Sequence, residues 1–342
     1  MTGTARVIRA NALALPLEDA TVDLVVTSPP YFGLRSYQDG GEHYDGQIGD
    51  EATPAEFVDA LLAATREMVR VVKPSGSIWV NLGDKYASSS TPGPQSQSTT
   101  MTGGRHKGVE NVEPRRLHSG APTKSLIGVP WRYALRCIDD LGLILRAEVI
   151  WSKPNGLPES VTDRVRRSHE TWFHFTREPR YFSAVDEVRE EHKVDISGWK
   201  VASQRRGLET APTTGVSSAM GQNPLGKLPG SVWTIPTQPL RVPDHLGVDH
   251  FAAFPMEWPR RIIRGWSPAG GTVLDPFGGA GTTALVARAW GRHGISVDMS
   301  ADYCRLAEWR TNDPGELARA MQVEKPPKEL PDQLDMFGGD AA

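Results

Sequence analysis

The stretch that most restricts the fold is Asp23-Leu24-Val25-Val26-Thr27-Ser28-Pro29-Pro30-Tyr31, an apolar run that stops at a hydroxyl, two prolines and an aromatic. Apolar residues in unbroken succession mark a strand covered on both faces, the environment of a parallel sheet sandwiched by helices. Pro29 and Pro30 lack the N–H that would continue a ladder, so the chain leaves the sheet there as a stiff, extended loop. That loop presents the Ser28 hydroxyl, the Pro29 carbonyl and the ring of Tyr31 together. Two oxygen acceptors beside an aromatic face suit a planar base with an exocyclic amino group. A proline turn with Tyr31 folded into the core is the plainer alternative.

The flanking pattern supports an α/β chain. Ala5 to Arg9 alternates as a short strand leading to Asn11. Thr53-Pro54-Ala55-Glu56 combines an N-cap, a proline at the first helical position and a capping-box glutamate, and Phe57, Leu61, Met68 and Val72 continue an apolar face. Pro74 and Gly76 end that helix, and Ser77 to Leu82 reads as the next buried strand, giving a parallel crossover. Pro130 to Leu141 reads as a helix, Leu143 to Trp151 as a strand, and His169 to Thr176 as another, with Tyr181 and Phe182 expected in a hairpin partner.

Three stretches resist assignment to the sheet. Arg35 to Asp50 has the Gly, Tyr, Asp and His content of a mobile loop. Ala87 to Gly120 is poor in large apolar residues and is expected to be a flexible loop, basic in its second half through Arg105, His106, Lys107, Arg115 and Arg116. Asp186 to His245 has weak periodicity and is expected to stay outside the main sheet, as a substrate-reading insertion carrying Lys200, Arg205, Arg206 and Lys227. Lys153, at the end of Leu143 to Trp151, and the cluster Arg164, Arg166, Arg167 are candidates for phosphate contacts, although such clusters are as often solvated faces.

Charge decides little: 38 Lys and Arg against 41 Asp and Glu give −3, which excludes coating nucleic acid by bulk charge but allows a basic cleft. Cys137 and Cys304 are far apart and outside any CxxC pair, so neither a disulfide framework nor a zinc cluster, nor any other metal site, is expected. No apolar run reaches bilayer length and no signal pattern opens the chain, which leads us to expect a cytoplasmic protein without membrane contact.

A second site lies near the C-terminus. In Thr272-Val273-Leu274-Asp275-Pro276-Phe277-Gly278-Gly279-Ala280-Gly281-Thr282-Thr283 an apolar strand ends in a glycine loop that opens into a helix, where free N–H groups and close backbone approach favour a ligand. Ile295 to Asp298 then ends in an acid placed to accept from a ribose diol. Gly279, Gly281 and Ala284 also satisfy a dinucleotide fingerprint, so a nicotinamide-dependent oxidoreductase stays open as a distant alternative. The Asp275-Pro276-Phe277 entry and the Ser28 to Tyr31 site favour a methyl donor instead.

With both sites in view, the chain resembles the S-adenosylmethionine-dependent DNA amino-methyltransferases, and within them the permuted β group whose SPPY motif precedes the cofactor motif. Thr27 to Tyr31 matches the catalytic motif; Asp275 to Thr283 matches the cofactor loop; His250 with Phe254-Pro255 matches the region before it. The resemblance implies a Rossmann-like, seven-stranded, mostly parallel methyltransferase sheet with helices on both faces, plus an irregular target-recognition insertion. It implies S-adenosyl-L-methionine as cofactor, double-stranded DNA as partner, and a flipped target base. Ser28, Pro29, Pro30 and Tyr31 would be catalytic. Asn11, Thr27, Phe254, Pro255, Asp275, Phe277, Gly278, Gly279, Gly281, Thr282, Thr283 and Asp298 would bind the cofactor, with Asn11 replacing an acid often found there. Lys153, Arg164, Arg166, Arg167, Arg205 and Arg206 would bind DNA.

Ser28, where adenine enzymes of the family more often have Asp, favours N4-cytosine over N6-adenine. C5-cytosine chemistry would need a cysteine after a proline, whereas Cys137 follows Arg136 and Cys304 follows Tyr303. On this reading the chain divides into a catalytic part, 1–185, with its flexible loop at about 87–120, a target-recognition region, 186–245, a cofactor-binding part of the same domain, 246–315, and a disordered tail, 316–342. In that tail Gln333-Leu334-Asp335-Met336-Phe337 resembles a sliding-clamp docking peptide, folding back onto the domain being the alternative. A homodimer and a restriction-modification role are compatible with the family.

Overall fold

Successive side chains of a strand point to opposite faces, so Leu24-Val25-Val26 needs cover on both. The computed structural model supplies it, and describes residues 3–33, 46–87, 120–156, 158–192, 223–248 and 253–321 together with the backbone of 38–39 and 42–43. Val25 packs with Phe57, Leu61, Met68 and Tyr133 in one apolar layer, and Leu24 and Val26 pack with Trp258, Ile262 and Leu285 in the other.

The strands are β1 (Thr4–Arg9), β2 (Val22–Thr27), the two-residue β3 (Gln38–Asp39) and β4 (Glu42–His43), β5 (Val72–Leu82), β6 (Ile144–Ser152), β7 (His169–Thr176), β8 (Val232–Thr234), β9 (Thr272–Asp275) and β10 (His293–Asp298). The helices are α1 (Pro54–Val71), α2 (Val129–Leu141), α3 (Glu257–Trp266), α4 (Thr282–Ala289), α5 (Ala301–Asn312) and α6 (Pro314–Met321). Apart from the β3–β4 pair, the strands form one sheet of eight in the order β1-β10-β9-β2-β5-β7-β6-β8. Only β7 runs against its neighbours, antiparallel to both β5 and β6.

The local signals explain the elements. Thr53 accepts from Glu56 N and donates its own N–H to the Glu56 carboxylate, a capping box that stabilises the start of α1 by about 1 kcal/mol. β2 and β9 are parallel neighbours, with Leu24 opposite Val273 and Val25 opposite Leu274. From this pair the chain winds one way through β10 to β1 and the other way to β5. The topological switch point therefore lies beyond the carboxyl ends of β2 and β9, where a crevice opens.

Three expectations need correction. The sheet has eight strands because Val232–Thr234 adds an edge strand parallel to β6. Three residues show no periodicity, and what holds them is Trp233, stacked 4.9 Å from Trp258 in a seam with Trp79, Trp151, Trp172 and Trp266. Tyr181 and Phe182 form no hairpin strand: β7 is saturated on both sides, Tyr181 packs edge-on against His174, and Phe182 N–H donates to Ser75 O. Residues 316–321, expected in a disordered tail, belong instead to α6, which buries Glu316 and Ala320. Residues 88–119, 193–222 and 322–342, on which the expected flexible loop, part of the target-recognition region and most of the tail fall, lie outside the described residues.

Candidate active site

A cavity of about 740 Å³ occupies the crevice at the ends of β2 and β9, within the ordinary range for a small-molecule site. One wall comes from the glycine loop. Gly281 has φ +70° and leads directly into α4, and a Cβ on Gly278 would lie 1.9 Å from Ser296 Oγ, so the loop can lie this close to β10 only as glycine. Phe277, Gly278, Gly279 and Thr282 line the cavity, as do Asn11, Asp298 and Phe254. Asp298 Oδ2 accepts from Gly279 N at 2.9 Å and Oδ1 from Ser300 N at 2.9 Å, which holds the acid against the loop. Asn11 Oδ1 accepts from Leu13 N at 2.9 Å.

Five of the expected cofactor residues, Thr27, Pro255, Asp275, Gly281 and Thr283, do not line the cavity. Thr27 donates to Asp275 Oδ1 at 2.6 Å, Thr283 to Asp275 Oδ2 at 2.9 Å, and Phe277 N–H to Oδ1 at 3.1 Å, all behind the loop. This clamp joins β2, β9 and α4, and burial pushes the Asp275 carboxyl up to about 6 against the pull of those three donors. Pro255 also lies behind the wall, its carbonyl accepting from Trp258 N. Arg310, 3% exposed, donates to Thr282 Oγ1 at 2.7 Å and pairs with Glu316 of α6 at 2.9 Å.

The opposite wall carries Ser28, Pro29, Pro30 and Tyr31. The Tyr31 hydroxyl lies 2.8 Å from Asn81 Oδ1 and 2.7 Å from Glu170 Oε2, sharing its proton between two acceptors. Asn81 is 1% exposed, and its Nδ2 donates to Thr171 O at 3.3 Å, which turns its oxygen toward the site. Ser28 Oγ, at 3.3 Å, must then donate to Asn81 Oδ1, leaving its lone pairs to accept from whatever enters. Glu170 Oε1 pairs with Lys153, whose ammonium sits 4.1 Å above the Trp151 ring.

The basic residues expected at DNA are dispersed. Lys153 points into the cavity rather than outward. Arg167 lines it beside Asp84, 3.7 Å away, whose carboxylate also accepts from Gly128 N and Val129 N at the start of α2. Arg164 pairs with Glu159 and lies 3.8 Å over the Tyr86 ring; Arg166 is exposed. Lys200, Arg205, Arg206, His250 and the peptide Gln333, Leu334, Asp335, Met336, Phe337 lie outside the described residues.

Asn81, Asp84, Trp151 and Glu170 join the site without a motif to mark them. Two signals in the sequence bear on three of them all the same: Asn81 to Asp84 span the end of the buried strand β5, and Glu170 is the one acid of β7. Cys137 and Cys304 are both buried, and burial pushes the Cys137 thiol up to about 12, so neither is a ready nucleophile. No helix among the described residues is long and apolar enough to cross a membrane.

Comparison with known proteins gives a consistent family. A family model described as DNA methylase, of the N6/N4 methyltransferase type, matches residues 22–309. The chain is 33% identical to the type II methyltransferase M.SmaI of Serratia marcescens over 86% of its own length and 85% of the relative's. It is 33% identical to the type II methyltransferase M.Cfr9I of Citrobacter freundii, over 85% and 81% of the two chains. Among solved structures, the PvuII DNA methyltransferase, titled cytosine-N4-specific, superposes with a TM-score of 0.60 at 21% identity, covering 94% of each chain. A Thermus thermophilus DNA modification methylase solved with S-adenosyl-L-methionine gives 0.52 at 22% identity, covering 94% and 96%.

Proposed function

The chain belongs to the S-adenosyl-L-methionine-dependent N6/N4 DNA methylases, and on that premise we propose that it methylates the exocyclic N4 amino group of cytosine in a specific duplex sequence. The family sets aside the nicotinamide reading and leaves the base to be assigned. The observation that carries the proposal is Ser28 Oγ, turned by Asn81 Oδ1 so that its lone pairs face the cavity beside Tyr31. An uncharged acceptor at this position is the family's association with cytosine, and the structurally similar PvuII enzyme is named as cytosine-N4-specific. The type II relatives support a restriction-modification role.

The cavity fits the cofactor on the chain's own evidence: the wall at Gly278 is one that a Cβ would displace, and Gly279 N–H holds the Asp298 carboxylate beside it. Phe277 to Gly279, Thr282, Asp298, Asn11 and Phe254 would hold S-adenosyl-L-methionine, which when bound supplies an electrophilic methyl on a sulfonium. The chain does the rest by placement. A cytosine turned out of the duplex stacks on Tyr31, which offsets part of the few kcal/mol needed to unstack it. Its amino group donates to Ser28 Oγ and to the Pro29 carbonyl, drawing the nitrogen lone pair out of conjugation with the ring and aiming it along one line. Pro29 and Pro30 keep those acceptors from moving.

The test is nucleoside analysis by mass spectrometry of DNA from cells expressing the protein, with sequencing to map the site. N4-methylcytosine is expected with the wild type and in much lower amount with Tyr31→Ala. N6-methyladenine in its place would refute the assignment of the base.

A further inference from the structure

We propose that Lys153 reads the cytosine ring beyond the amino group, by donating to its 2-oxo oxygen, and so selects cytosine over adenine. The inference rests on the N4-cytosine reading above and names the residue that enforces it. Lys153 follows the last residue of β6, and its side chain lines the same cavity as Ser28 and Tyr31. It is held there from two sides: Glu170 Oε1 accepts from Nζ, and the Trp151 ring lies 4.1 Å beneath the ammonium. Its side chain is 19% exposed, so it is a cavity group rather than a surface phosphate contact.

Glu170 ties it to the amino end of the pocket. The other oxygen of that carboxylate accepts from Tyr31 OH at 2.7 Å, and Tyr31 OH lies 2.8 Å from Asn81 Oδ1, which accepts from Ser28. The chain Ser28, Asn81, Tyr31, Glu170, Lys153 therefore runs along one wall, from neutral acceptors at one end to a cation at the other. An ammonium carries three donors, and Glu170 takes one.

A cytosine whose amino group is held at the Ser28 end presents acceptors along the rest of its pairing edge, the ring nitrogen and then the 2-oxo oxygen. Adenine placed with its amino group at the same end presents its ring nitrogen and then a C–H. A cation at the far end of the wall gains a charge-assisted hydrogen bond with the first base and faces an apolar C–H with the second. Failure to satisfy a group built for a hydrogen bond is what discriminates most strongly between similar substrates.

The test uses full-length protein and duplexes of the mapped site carrying, at the target position, cytosine, adenine, or a 2-aminopyridine C-nucleoside. The last keeps the amino group and ring nitrogen and lacks the 2-oxo group. Wild type is expected to prefer cytosine over both by at least tenfold in kcat/KM. Lys153→Met should lose at least tenfold on cytosine and less than twofold on the 2-aminopyridine, with cofactor affinity unchanged by calorimetry. Lys153→Met/Glu170→Gln removes the carboxylate left unpaired and should show the same pattern. Lys153→Gln, which keeps a neutral donor, should recover part of the cytosine rate. Equal losses on cytosine and 2-aminopyridine, or no loss on cytosine, overturn the assignment of Lys153 while leaving the N4 reading standing. N6-methyladenine as the wild-type product overturns both.

Discussion

Gly83→Ala tests whether the position of the Tyr31 ring limits the reaction. A Cβ on Gly83 would lie 2.7 Å from Tyr31 Cε2, 3.2 Å from Cδ2 and 3.3 Å from Cζ. Carbon atoms in contact prefer about 3.5 to 4 Å, so the ring edge must move by roughly 1 Å. It cannot do so freely, because its hydroxyl is bound to Asn81 and Glu170 at 2.8 and 2.7 Å. Gly83 is not among the residues with positive φ, so the alanine backbone itself is unstrained. Overpacking costs about 1 to 3 kcal/mol, and the reduced freedom of the unfolded chain returns about 0.4 to 1 kcal/mol. Stability should fall by about 1 kcal/mol, whereas a misplacement of about 1 Å costs on the order of 100-fold in rate. The assay is single-turnover transfer of a radioactive methyl to plasmid DNA, with urea unfolding and cofactor calorimetry alongside. A rate within twofold of wild type would show that the ring is not the surface the base must rest on.

The other predictions divide the site into its parts. Tyr31→Ala should lower transfer far more than cofactor binding, since about 1 to 3 kcal/mol of stacking is lost at the base and nothing at the glycine loop; equal losses in both would place Tyr31 at the cofactor. Glu316→Ala leaves Arg310 buried without its counter-ion and should destabilise the fold by about 3 to 5 kcal/mol in urea unfolding, and weaken cofactor binding because Arg310 holds Thr282. Asp275 has its carboxyl pushed from the ordinary 3.8 to about 6, so between these values the native state holds a proton that the unfolded state has released. That group's contribution therefore improves stability as pH falls from above 6 toward 4, by roughly 3 kcal/mol in full, and Asp275→Asn should flatten that part of a stability-against-pH profile.

Both halves of the site are legible in the sequence because each is a local event. A strand that ends in prolines, or in glycines before a helix, carries its consequence within ten or so residues, and the capping box of α1 is equally local. The acid Glu170 shows the limit. In the sequence it is the one acid of a strand that also carries two histidines and two threonines, and only the antiparallel insertion of β7 between β5 and β6 places it against Tyr31 and Lys153. Lys153 likewise reads as one more basic residue until Glu170 and Trp151 turn it inward.

Thr27, Asp275 and Thr283 teach the converse lesson, since they belong to recognisable motifs yet bind one another behind the wall. Where β2 and β9 end, that a glycine cradle follows, and the order of the two motifs along the chain are all written in the residues, because backbone conformation follows from neighbouring proline, glycine and apolar pattern. Which polar groups share a hydrogen bond is a property of the folded sheet, because strand order brings together residues such as Thr27 and Asp275 that no local rule connects.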